Sequence, residues 1–209
     1  MKLKWPLWKD EGKGEGEKNA HSLSSLISLI EERELVKNHP QDLKGQKVLE
    51  VAPSLSSLVP LLKSEKGAKL SVSLKDSVVS HGENLPFLSA SFDVVFLRLP
   101  FFKGPQGKIL REGARVLESG GRLVMSVLHP FSLMVQQEFL KNSTVEEGMT
   151  PGFERYLRIF GEQGLKLEAV KEVFYDNSLR KFLSTEDEKK KWEVLKRTPL
   201  EIIFWLRKN

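Results

Sequence analysis

Between Phe92 and Val127 the chain spells out a complete strand–helix–strand unit, which limits the fold more than any other stretch. Phe92-Asp93-Val94-Val95-Phe96-Leu97 is an almost unbroken apolar run, the pattern of a strand buried on both faces of a parallel sheet. From Gln106 to Leu117, residues Ile109, Leu110, Gly113, Ala114 and Leu117 fall on one face of a helix. Ser119-Gly120-Gly121 then turns the chain into a second apolar run, Arg122 to Val127. Parallel neighbours need a crossover of about a dozen residues, and the helix supplies it.

The same alternation extends in both directions. Upstream, Leu23, Leu26, Ile27 and Ile30 predict a helix from Ser22 to about Lys37. Lys47 to Val51 predicts a first strand, Ser56 to Ser64 a short helix, and Leu70 to Leu74 a half-exposed strand. Downstream, Phe153, Tyr156, Leu157 and Phe160 form a helical stripe, stopped by Gly161 and Gly164 before a strand from Leu165 to Phe174. Thr185 and Glu188 suit a capping box for a helix presenting Trp192 and Leu195, and Pro199 separates it from a final strand, Leu200 to Leu206. Strands alternating with helices predict an α/β, doubly wound, mostly parallel sheet, with ligands at the carboxyl ends of its strands.

The chain of 209 residues suits one such domain, expected over residues 21–209. Residues 1–20 read as a flexible arm, because Lys9 to Asn19 holds three glycines and no apolar side chain. Trp5 and Trp8 on that arm are expected to dock on the domain or on a protein partner. No apolar run approaches the roughly 20 residues of a membrane helix, and no secretory signal is legible, so a cytoplasmic location is expected. With no cysteine, disulfides and thiolate metal sites are excluded. The formal charge of +5 would draw nucleic acid only if its cations formed a stripe. There is no Gly-x-Ser-x-Gly elbow, His-Glu-x-x-His pair or phosphate loop, which argues against hydrolase, zinc-protease and nucleotide-hydrolysing chemistry.

Three stretches carry a resemblance to a known family. Val48-Leu49-Glu50-Val51-Ala52-Pro53-Ser54-Leu55-Ser56 stands where the family has a strand and glycine-rich loop, V-L-D-x-G-x-G-x-G. Glu83-Asn84-Leu85-Pro86-Phe87 is followed by Ser91-Phe92-Asp93-Val94-Val95. Arg111-Glu112-Gly113-Ala114-Arg115-Val116-Leu117-Glu118-Ser119-Gly120-Gly121 looks like the family's helix and glycine turn. Together they resemble class I, S-adenosylmethionine-dependent methyltransferases of type 11. The resemblance implies a Rossmann-like sheet whose last strand runs antiparallel between the fifth strand and Leu165–Phe174, and S-adenosylmethionine as cofactor. It places Glu50, Ala52, Ser54, Ser56, Asp76 and His81 at the cofactor; His129, just beyond the fifth strand, reads as a candidate general base or as a plain turn residue.

The sequence departs from the family where the cofactor would sit. Ala52, Ser54 and Ser56 replace three glycines and Pro53 removes an N–H, although close approach of a ligand to backbone favours residues without Cβ. Ser54 and Ser56 equally suit helix caps. Asp76 reads as a ribose acceptor or as a turn residue, and His81 stands where an acid would meet the adenine. Only Lys75 to Ser77 separate Leu74 from Val78, too few for a crossover helix, so the region of strands two and three is expected to be shortened. Arg98 reads as a fork for an acidic ligand or as a surface ion pair. Two functions remain open: methyl transfer from S-adenosylmethionine to a small-molecule acceptor, or a non-catalytic relative that binds a protein partner or polyanion.

Overall fold

A computed structural model describes residues 30–31, 33–35, 43, 45–52, 82–99, 105–132, 152–175, 177, 192–194 and 196–209. Its strands are β1 (Val48–Val51), β2 (Phe92–Arg98), β3 (Leu117–Leu128), β4 (Leu165–Phe174) and β5 (Pro199–Lys208). Two helices, α1 (Gln106–Val116) and α2 (Phe153–Glu162), join them. The sheet order is β1-β2-β3-β5-β4. Pairings β1–β2 and β2–β3 are parallel, whereas β5 is antiparallel to both β3 and β4. Four strands thus share one direction and β5 alone is reversed, in the place the resemblance implies.

The expected arm, the Ser56–Ser64 helix, the Leu70–Leu74 strand and the shortened region beyond it lie outside the described residues. Helical residues 30–31 and 33–35 and Trp192 belong to the expected first and last helices, and Ile30, Leu35 and Trp192 are buried.

Each face of the sheet carries its own core. On one, Val95, Leu97, Leu123, Met125, Phe204 and Leu206 meet Ile109, Leu110 and Ala114 of α1 and Tyr156, Ile159 and Phe160 of α2. On the other, Val48, Val94, Phe96, Val124, Ile203 and Trp205 meet Ile30, Leu35, Tyr175 and Trp192. These alternate parities are what a strand covered on both faces must show. The inner stripe of α2 is Tyr156, Ile159 and Phe160, spaced i, i+3, i+4, while Phe153 and Leu157 lie at its exposed margin.

The Gly120-Gly121 turn is a bulge inside β3. The helix ends at Val116, and Leu117 is already extended and paired with Phe92 before the register slips to Val94 opposite Arg122. Gly120 takes φ +78, and a Cβ on Gly121 would lie 2.9 Å from the carbonyl oxygens of both Asp93 and Glu118. Backbone on both sides cannot yield, so glycine is required there. Where α1 hands over to β3, Lys208 Nζ donates to the carbonyls of Ala114 and Leu117, each at 2.7 Å.

Candidate functional site

The parallel strands β1, β2 and β3 bring Glu50, Arg98 and Ser126 together near their carboxyl ends on one face of the sheet. Arg98 is not at the surface, as one sequence reading had it: its side chain is 2% exposed. Its Nε and Nη2 donate to Glu31 Oε2 at 3.1 and 2.9 Å, and Nη1 donates to Glu50 Oε1 at 3.0 Å. Ser126, paired across from Arg98, donates its hydroxyl to the other oxygen of Glu31. A guanidinium held on two sides by carboxylates is the arrangement a buried arginine needs.

Glu201 enters the same neighbourhood from β5. It is fully buried, and neither carboxyl oxygen has a hydrogen-bond partner. Burial, reinforced by the charge of Glu31 and opposed by Arg98, holds its pKa well above the usual carboxylate range. This environment favours the protonated form of Glu201 beside the Arg98 cluster. The sequence reading missed Glu31, Ser126 and Glu201. The first carried one signal, its place four residues after Ile27 on the helical stripe; the last carried another, a lone carboxylate in the apolar run Leu200 to Leu206.

Ala52 follows β1 and is half-buried. Ser54, Ser56, Asp76 and His81 lie outside the described residues. His129 follows β3 on the side of β5 and β4, where its N–H donates to the Leu200 carbonyl at 2.9 Å. Its Nδ1 accepts the Phe131 N–H at 3.2 Å, its Nε2 lies 3.4 Å from Glu172 Oε1, and its ring stacks on Phe131. Burial lowers its pKa, with Glu172 opposing. The ring is neutral, its Nδ1 lone pair faces a backbone donor, and its remaining proton belongs on the Glu172 side. Any proton transfer through His129 has to break one of these contacts.

The second and third resemblance stretches form one joint. Glu112 accepts the Leu85 N–H at 2.8 Å, and Arg115 grips Glu112 while donating to the Leu85 and Phe87 carbonyls at 3.0 and 2.9 Å. Here α1 holds the loop that leads into β2. Among the described residues no group of acids and histidines could hold a metal ion, and no helix is long and apolar enough to cross a membrane.

The sheet order and the reversed β5 are those that the resemblance implies. Residues 43–125 match the sequence model of the family described as "Methyltransferase domain". Similar solved structures include a chain of the complex between the Haloferax volcanii Trm112 methyltransferase activator and its methyltransferase. That pair gives TM-score 0.64 at 18% identity, covering 87% of this chain and 92% of the other. An S-adenosylmethionine dependent methyltransferase from Mesorhizobium loti gives TM-score 0.59 at 15% identity, covering 87% and 100%. Geranyl diphosphate C-methyltransferase from Streptomyces coelicolor A3(2), in complex with Mg2+, geranyl diphosphate and S-adenosyl-L-homocysteine, gives 0.60 at 11%, covering 89% and 84%. Likeness at such identities establishes the fold alone. No curated protein matches the chain in sequence.

Proposed function

We propose that this methyltransferase-like chain keeps the scaffold without the cofactor and acts as a binding subunit for a protein partner. One observation carries the reading: Glu50, the acid of the first strand, is bound by the buried guanidinium of Arg98, with its own side chain 8% exposed. A cofactor contact to Glu50 would compete with a guanidinium that Glu31 also fixes, and prising apart a buried pair costs about 3–5 kcal/mol. Ala52 adds a Cβ where the family's backbone is bare. Both features weigh against S-adenosylmethionine at this edge. In the sequence, Ser54, Ser56 and His81 depart from the family pattern in the same sense, and Asp76 is the sole carboxylate left for the ribose. The fold's likeness to a protein complexed with a methyltransferase activator supports the partner half of the reading.

A second reading, methyl transfer to a small-molecule acceptor with His129 as base, draws support from the family match over residues 43–125. A thermal melt with S-adenosylmethionine or S-adenosylhomocysteine separates the two. Ligand at a hundred times its dissociation constant adds about 2.7 kcal/mol, roughly 5–10 °C for a chain of this size. The proposal expects no shift at millimolar ligand, and a shift of that order would replace it with the enzyme.

A further inference from the structure

At the opposite end of the sheet from Arg98, three cations stand in one cross-strand row. Arg122 on β3 is paired with Arg207 on β5, and Arg207 with Lys166 on β4. Residues directly opposite in antiparallel strands share a face, and like charges so placed repel. One carboxylate answers the row: Glu168 Oε1 lies 2.5 Å from Arg207 Nε, while its Oε2 stays 3.7 Å from Arg122 Nε, beyond hydrogen-bond reach. Arg207 Nη1 is spent on the Gly120 carbonyl at 3.1 Å. Arg122 Nε and Nη1 have no acceptor at all.

We propose that this row is an oxyanion site that takes a phosphate group. Three cations against one carboxylate leave a local excess of positive charge beside two guanidinium N–H groups without acceptors, and a tetrahedral oxyanion supplies both the charge and the acceptors. The side chains of Arg207 and Glu168 are 38% and 33% exposed and Lys166 is exposed, so a ligand reaches the row from solvent. Arg122, its side chain 15% exposed, forms the inner wall of the row. The shared chemistry is a phosphate group, which either a phosphorylated small molecule or a nucleic-acid backbone provides. The site is separate from the cofactor crevice, so it stands whether or not S-adenosylmethionine binds.

The test is phosphorus NMR of inorganic phosphate with the whole chain at constant ionic strength, beside the Lys166→Gln and Arg207→Gln variants. Wild type is expected to broaden the resonance saturably, and each variant to weaken binding about tenfold, the loss of one charge-assisted contact. K166Q alters an exposed side chain and keeps the test valid if R207Q fails to fold. A resonance unchanged by wild type, or broadened equally by wild type and K166Q, would overturn the site. Competition then identifies the source: adenosine monophosphate displacing phosphate points to a small ligand, and displacement only by a single-stranded oligoribonucleotide points to a nucleic-acid backbone.

Discussion

Two arginine–glutamate clusters in this molecule use the same chemistry to opposite ends. Arg115 and Glu112 sit at a half-open joint, their side chains 34% and 18% exposed, and spend their hydrogen bonds on the backbone of the Leu85–Phe87 loop. Arg98 and Glu31 are buried between the N-terminal helical residues and the sheet, with Glu50 at their margin. The first cluster organises a loop at little electrostatic cost, because water shares the charges. The second carries a desolvation cost that its own pairing must offset, so it does not tolerate loss of a member.

The largest effect is expected at Arg98. Arg98→Met strands Glu31 and Glu50 and should lower stability by about 3–5 kcal/mol in urea unfolding; a loss below about 1 kcal/mol would mean that water already reaches the cluster. Next comes Glu201. In the folded chain its carboxyl keeps a proton that the unfolded chain releases above a pKa of about 4.3, so stability falls as pH rises from there towards its raised folded pKa, by at most about 1.4 kcal/mol per pH unit. Glu201→Gln should flatten that slope above the unfolded pKa of about 4.3, and an unchanged slope would place its source elsewhere.

Glu112 has the contrary sign. Its hydrogen bond from Arg115 and the Leu85 N–H outweigh burial and hold its pKa below the ordinary value. Its contribution is present above the unfolded pKa and disappears as pH falls through the folded one. Arg115→Ala, the smallest effect, should cost about 1 kcal/mol after solvent screening. Faster amide exchange confined to the Leu85–Ser89 loop would be its signature, and exchange spread through β3 would show that the joint supports the whole sheet.

Most of the sheet was legible because apolar periodicity is a local property. Strand β4 was read at its observed bounds, and β2, β5 and α1 within one or two residues at each end. The Glu112–Arg115 joint was legible as part of a helix that resembles the family's. What stayed hidden depends on tertiary pairing. Arg98 and Glu31 are 67 residues apart, and nothing local tells whether an arginine at a strand end meets solvent or a helix. The bulge at Gly120 was read as a turn because a glycine pair signals a change of direction without saying whether pairing resumes across it. The cationic row was invisible for the same reason: Arg122, Lys166 and Arg207 become neighbours only once β5 lies between β3 and β4.

That placement of β5 also orders events in time. Strands β3 and β4 emerge from the ribosome with the edges they will share with β5 still open, since their mutual neighbour is synthesised after both. A nascent chain halted before Pro199 would present two strand edges to solvent, the template on which chains aggregate. Completion of the sheet is thus a late, nearly all-or-none step, and truncations within β5 are expected to yield insoluble protein instead of a shortened fold.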